Sequence, residues 1–527
     1  MTDSQPPNAD TDPEPNLDAA SQDGSPDVDP ENGSSTGKVS IGSLLSDSAV
    51  YGIAKIIDPA IGFLLLPIVT AILMPEDYGL ISLFTATSHV MFTMCSLGVH
   101  QAFFRYFTEA TSDDQRDTIT NTSISLALLY WLAVIPFALW FATPISSWLF
   151  DIESPTLVYL LLAFSVVQTI DSIGCNLLQA TGRAWSFLIN SVFATIAVRS
   201  LAVTLIVAGA GAWGWITGET LGRIAATVMI VAMAMPRARL RINRQQAKKL
   251  SWYGVMLVPA MLSFYVMTIT DKFLIRMLCD DPFAQVGLYT VGERIAGIMH
   301  MANFSMMVGW QRFAFRNMHE DEGRDLIGYG MYLYLLGSGY MLLGLMLLGD
   351  DLTHWAIASS FDAGLATILP LTLAAFVGGL ANISDIGLHK RSLPHVISTI
   401  MSVSAVLNIA LNFYVIPRYG IQGAAWATFA CQSLRLVLIF AGSQMAFRVN
   451  VDLRRVVAIT TLYVVAFAIG KAFDPIGWIG AGAIQSGILV AVPLAIWWLP
   501  ILTSSERAQI RRVIAKVTGK HPSESVQ

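Results

Sequence analysis

Residues 75–84 read Pro75-Glu-Asp-Tyr-Gly79-Leu-Ile-Ser-Leu-Phe84, an acidic turn running straight into an apolar helix. Gln285-Val-Gly287-Leu-Tyr-Thr-Val291 repeats that opening 208 residues later. The same offset relates Thr181-Gly-Arg183 to His389-Lys-Arg391, and Gly211–Gly214 match Gly420–Gly423 with a one-residue slip. Each match alone is weak, but a shared offset predicts a duplication of the kind common in transporter folds. Six apolar stretches separate the copies, an even number, so both copies run in the same direction. The two lobes they form are then related by an axis along the membrane normal.

Outward from this repeat, about fourteen apolar stretches run from 47–72 through 479–502, each near the roughly 20 residues that a helix needs to cross the hydrocarbon core. The expectation is an all-α polytopic membrane protein with two six-helix lobes related by a pseudo-two-fold, plus a C-terminal helix pair. The expected parts are a disordered acidic tail (1–42), a first lobe (43–235), a basic linker (236–250), a second lobe (251–446), an appended helix pair (447–502) and a basic tail (503–527). Connections are too short for a folded aqueous domain, so function must be built between helices. No metal-ligand spacing, nucleotide-binding signature or cofactor motif stands out. His89, His100, His300, His354 and His395 are scattered, and they read as packing or interface residues.

The chain is 54% hydrophobic and 13% charged, with mean hydropathy +0.57. Its net charge of -5 misleads, because nine of the 37 acids lie in the first 37 residues, where there is no base; the rest holds 28 acids against 32 bases. That leader lacks the basic start and apolar run of a signal peptide and is expected to stay attached and solvated. The longest basic run, Pro236-Arg-Ala-Arg-Leu-Arg-Ile-Asn-Arg-Gln-Gln-Ala-Lys-Lys249, lies between the sixth and seventh spans. Arg105, Arg183, Arg312, Arg316, Lys390, Arg391, Arg448, Arg454 and Arg455 lie on other even connections, while the odd ones hold mainly acids. The positive-inside rule then puts both termini in the cytoplasm, with Arg418 as the clear exception.

Ionisable groups inside spans cost on the order of 2.5–3.5 kcal/mol each, so they face a cavity or a partner. The candidates are Lys55, Asp58, Asp171, Arg199, Glu219, Arg223, Asp271, Lys272, Glu293, Arg294, Asp385 and Arg435. Lys55 with Asp58, and Glu219 with Arg223, have the spacing to pair on one helix face. Lys272 also lies late enough in its span to snorkel to the interface. Asp58, Asp271 and Glu293 are candidates for a coupling proton or sodium ion, since a buried carboxylate titrates or recruits a cation; the plainer reading is that they neutralise neighbouring bases. Asn408 and Asn412, four apart, are suited to bonding across helices. Trp131, Trp148, Trp355 and Trp497 lie near span ends as expected of interfacial anchors.

Pro75–Phe84 followed by Leu97-Gly-Val-His-Gln-Ala-Phe-Phe-Arg-Tyr-Phe107 resembles the first hairpin of bacterial polysaccharide (O-antigen type) flippases. Thr270-Asp-Lys-Phe-Leu-Ile275 and Val286-Gly-Leu-Tyr-Thr-Val-Gly-Glu-Arg-Ile-Ala-Gly-Ile298 resemble their seventh and eighth helices. The closest stretch is Ala405-Val-Leu-Asn-Ile-Ala-Leu-Asn-Phe-Tyr-Val-Ile-Pro-Arg-Tyr-Gly420-Ile-Gln-Gly-Ala-Ala-Trp-Ala-Thr428. The resemblance places the chain in the multidrug/oligosaccharidyl-lipid/polysaccharide exporter superfamily. It implies a non-enzymatic flippase of the bacterial cytoplasmic membrane that passes an undecaprenyl-diphosphate-linked oligosaccharide outward by alternating access, for lipopolysaccharide O-antigen or a similar surface polysaccharide. Its partners would be the lipid-linked glycan, membrane lipids, a polysaccharide polymerase and glycosyltransferases, with no nucleic acid. Lys55, Lys272 and Arg294 are then expected to hold the diphosphate by charge-assisted hydrogen bonds, with Arg199, Arg223 and Arg435 behind them. Two competing readings stand beside this one. A multidrug and toxin extrusion (MATE) type of extruder calls for an acid-dominated cavity. A membrane-embedded polymerase or glycosyltransferase calls for acid or base groups on a sizeable outer loop.

Overall fold

In a computed structural model, the described residues are 41–236, 238–317, 323–391, 393–473, 478–498 and 507. The acidic leader (1–40), Arg237, residues 318–322, Ser392, residues 474–477 and nearly all of the tail beyond residue 498 lie outside them. The described chain is helical: α1 (Ile41–Leu64), α2 (Leu66–Ile72), α3 (Pro75–Ser96), α4 (Val99–Glu109), α5 (Asp113–Trp140), α6 (Ala142–Phe150), α7 (Pro155–Ala180), α8 (Ala184–Val207) and α9 (Gly211–Ala234). There follow α10 (Arg244–Leu278), α11 (Pro282–Asn317), α12 (Gly323–Ala356), α13 (Asp362–Leu365), α14 (Ile368–Ser384), α15 (Ile386–Lys390), α16 (Pro394–Ala446), α17 (Leu453–Ala472) and α18 (Trp478–Trp498). Ten stretches among the described residues are long and apolar enough to cross a membrane, and Gly482–Trp498 is a shorter apolar helix.

Local chemistry explains where these helices start and stop. Pro75 and Pro155 take first-turn positions, where the missing N–H costs nothing. Asn243 accepts from the Gln245 and Gln246 amides, and Asp452 from those of Arg454 and Arg455, satisfying donors that a helix start leaves open. The second span breaks into α3 and α4 where Leu97 and Gly98 both turn left-handed. In α16 the chain crosses twice, reversing at Gly420, whose φ of 55° and ψ of -141° are open to glycine alone among the coded residues.

The repeat is visible where the lobes meet. At the crossing of α3 and α11, a Cβ on Gly79 would strike the Phe283 carbonyl, and one on Gly287 would strike the Pro75 carbonyl. Pro75 and Phe283, like Gly79 and Gly287, are 208 residues apart, so the two contacts are reciprocal images. The Thr290 hydroxyl donates to Ser82 Oγ at 2.8 Å across the same offset. A single apolar cluster, including Leu73, Tyr78, Val286, Tyr289, Ile357 and Phe361, closes this end of the molecule, opposite the basic linker. At the linker end, the start of α10 leaves its own lobe: Ser251 bonds Tyr130 at 2.6 Å, and Leu250 packs among Val99, Ala102 and Leu126. The α1 segment stays with the first lobe, through Tyr51 against Phe187 and Ala54 against Leu178. The appended pair packs on α12: Leu343 and Leu347 meet Ala466 and Val492, and Tyr340 donates to the Leu489 carbonyl.

Trp131 departs from the anchoring expected of it. It is 1% exposed, and its indole donates to Thr169 at 3.0 Å, because α5 turns that face toward α7 rather than toward lipid. Trp148, by contrast, is exposed as an anchor should be.

Candidate functional site: a charged central cavity and a buried carboxylate cage

Charged side chains from both lobes gather midway along the bundle. From α1, Asp58 takes a bidentate grip from Arg199 of α8, with N–O distances of 3.0–3.2 Å. Arg199 also reaches Glu219 of α9 at 3.9 Å and lies over the Trp215 ring. Arg223 faces Asp171 of α7 at 3.8 Å. In the second lobe, Lys272 of α10 meets Glu293 of α11 at 2.6 Å. The expected pairs within a helix, Lys55 with Asp58 and Glu219 with Arg223, are therefore replaced by pairs between helices. Lys272 does not snorkel: its side chain is 11% exposed. A desolvated charge gains most from the nearest opposite charge, and only packing decides which that is.

Two bases remain without an ion pair or hydrogen bond among the described residues. Arg294 sits twelve residues into α11, about 18 Å along the helix at 1.5 Å per residue, yet its side chain is exposed. A charged side chain this deep is far costlier against lipid than beside a polar cavity, so the charge argues that Arg294 faces a cavity. Its guanidinium and that of Arg199 both come within about 4 Å of the space over Gly62 of α1, where there is no side chain to block them. Lys55 is likewise exposed, with its ammonium 5.6 Å from the centre of the Phe187 ring. Around this cavity, the bases Lys55, Arg199, Arg223, Lys272 and Arg294 outnumber the acids Asp58, Asp171, Glu219 and Glu293.

His89 was not singled out from the sequence. Its Nδ1 lies 2.7 Å from the Thr85 carbonyl, and its ring tilts against Tyr265 of α10 at 5.8 Å. Arg223, Glu219 and Lys272 are all close enough to act on its charge. The one hint in the sequence was a histidine in the middle of a span. Arg435 stands apart from the cavity, bonded to the Gly378 carbonyl and to Asn382 at 2.5 Å.

Asp271 is not in the cavity either. It is 5% exposed, inside a cage built by α10, α11 and α16. Its Oδ2 accepts from Tyr289 at 2.8 Å and Thr428 at 2.7 Å, and its Oδ1 accepts from Asn412 at 2.8 Å. Asn412 also donates to Asn408 Oδ1, which commits its amide nitrogen and leaves its own Oδ1 buried without a partner. Asn408 and Asn412 thus bond across helices as their spacing suggested. An orphaned buried acceptor beside a carboxylate is costly, and a water molecule or a cation would relieve it.

Residues 68–309 match the model of a family described as "Polysaccharide biosynthesis protein". Among solved structures, "Lipid II flippase MurJ, inward closed conformation" superposes with TM-score 0.68 at 14% identity, covering 86% of this chain and 99% of that one. An inward-facing MATE family transporter of the MOP superfamily superposes with TM-score 0.55 at 14% identity, covering 78% and 99%. An outward-facing one gives 0.51 at 15% identity, covering 80% and 96%. No curated protein matches the chain. The chain thus carries a polysaccharide biosynthesis match that runs from the first lobe into the start of the second, and over most of its length it has the fold of these flippase and MATE structures.

Proposed function

We propose that this protein carries an undecaprenyl-diphosphate-linked oligosaccharide from the inner to the outer leaflet of the bacterial cytoplasmic membrane, with both termini in the cytoplasm. The observation that carries this reading is Arg294, a guanidinium held in mid-membrane with no hydrogen bond or salt bridge among the described residues, although Tyr78, Glu293 and Asp58 lie near enough to act on its charge. Such a group is expensive unless something anionic visits it, and a diphosphate is the natural visitor. An extruder of organic cations would place the excess charge the other way. The apolar closure opposite the basic linker fits a carrier open, or ready to open, toward the leaflet where lipid-linked glycans are assembled. The test is depletion in the native cell: a complete glycan repeat on its lipid carrier should accumulate in the cytoplasmic leaflet and clear on re-expression. Cationic-drug sensitivity without such accumulation would favour the extruder.

Of the three carboxylates considered for coupling, Asp58 is neutralised by Arg199 and Glu293 by Lys272. Among the described residues Asp271 accepts from neutral donors alone and has the idle Asn412 oxygen beside it, so we assign the coupling role to Asp271. Oxygen ligands of this kind suit a hard cation. Sodium should raise the thermal stability of the purified protein, by about 2.7 kcal/mol at a hundred times its dissociation constant, and Asp271→Asn should abolish the effect. A response to pH with none to sodium would assign the cage to a proton instead.

A further inference from the structure

The two lobes build the same hairpin, from their fifth and sixth spans, in two different ways. In the first lobe, α9 lies directly on α8. A Cβ on Gly218 would meet the Ala202 backbone, and one on Gly222 the Val198 backbone. Small residues at such spacing let membrane helices touch. In the second lobe, 209 residues on, Gly218 is matched by Ala427 and Gly222 by Cys431. Here the two arms of α16 leave a cleft of about 360 Å³, lined by Leu411, Val415 and Tyr419 on one arm and by Gln422, Gly423 and Trp426 on the other. Tyr419 is 67% exposed and Trp426 47%, so the cleft opens outward from the bundle. It lies at the end opposite the basic linker. Its volume is at the small end for ligand sites and suits a single hydrocarbon chain.

Next in the chain to the lining residue Tyr419 is Arg418, the base that broke the positive-inside pattern. It is exposed, donates to the Tyr414 carbonyl at 2.6 Å and lies 3.8 Å from the Tyr414 ring. One bond to a carbonyl uses a fraction of the five N–H groups of a guanidinium. Tyr414 beneath it and Tyr419 next in the chain are aromatic residues of the kind that mark the membrane interface. A base next to the lining of an apolar cleft in a bilayer matches a lipid whose phosphate is anionic.

We propose that the cleft between the arms of α16 is a binding site for an anionic phospholipid of the outer leaflet, with its phosphate on Arg418 and one acyl chain along Val415 and Leu411. The site is separate from the carrier cavity, and it does not depend on which glycan is carried. Full-length protein would be purified into nanodiscs of phosphatidylethanolamine containing a minor fraction of phosphatidylglycerol, and retained lipid counted by native mass spectrometry. Wild type should hold one phosphatidylglycerol. Arg418→Gln should retain at least about tenfold less, a change of about 1.4 kcal/mol. Val415→Trp, which fills the cleft without touching the charge, should lose both lipids, and Arg418→Lys should keep the preference. Equal retention of phosphatidylglycerol by wild type and Arg418→Gln would overturn the site. So would recovery of a polyprenyl phosphate in place of phospholipid from protein taken directly out of its native membrane.

Discussion

Arg294→Ala should end export of the lipid-linked glycan while leaving the protein in the membrane at its normal level. A guanidinium that closes on a phosphate through two charge-assisted hydrogen bonds gains roughly 1.5–3 kcal/mol from each. Losing both is a deficit of about 3 kcal/mol or more, over a hundredfold in affinity. Folding should suffer little, because Arg294 holds no hydrogen bond or salt bridge among the described residues, and its acidic neighbours Asp58 and Glu293 keep Arg199 and Lys272. Arg199 makes the opposite case. Its removal strands Asp58 and the buried Glu219 together, and breaking such a pair costs on the order of 3 kcal/mol, lessened here by the half-exposure of Asp58. A drop in Arg199→Ala protein is therefore expected alongside any loss of transport, and only Arg294 separates the two effects. Arg294→Lys should fall between wild type and alanine, since a point charge cannot grip a phosphate with two parallel bonds. The readouts are glycan accumulated on its lipid carrier and protein level in the same membranes. Full export by Arg294→Ala would remove Arg294 from the binding site.

What the sequence made legible was whatever repeats or lies within one helix. The 208-residue offset reappears as reciprocal contacts at Gly79 and Gly287 and as the Ser82–Thr290 bond, because a duplicated chain must place duplicated residues about its axis. The all-helical, many-span character was legible for the same kind of reason: hydropathy is local. Against about fourteen spans expected, ten stretches among the described residues meet the length and composition of one, with a shorter apolar helix besides. Pairings between helices were not legible. Asp58 turns to Arg199, 141 residues away, rather than to Lys55 three residues away, and a helix wheel has no knowledge of which neighbour will pack beside it. Asn408 and Asn412 read as helix glue, and they are, but it is Asp271 on another helix that Asn412 holds, with Asn408 accepting from Asn412. His89 left only its mid-span position as a hint, since the charges near it come from α9 and α10.

A disulfide placed at the crossing of α3 and α11 should stop transport reversibly. Ser82 and Thr290 already touch through their hydroxyls at 2.8 Å, so cysteines at both positions begin within reach of each other. The background would replace Cys95, Cys175, Cys279 and Cys431 with alanine, to leave one possible bond. In the alternating-access reading, the apolar cluster around this crossing must part for the cavity to face the outer leaflet. The glycines on either side let the backbones approach closely enough for the seal, and a covalent bond there would hold it shut. Export should fall to background under oxidant and return with reductant, while each single cysteine variant keeps activity under both conditions. A different result is equally specific. Quantitative crosslinking with export intact would mean that the lobes rock about this crossing rather than part at it. The reciprocal contacts would then be the hinge, and the opening toward the outer leaflet would have to be sought at another helix pair.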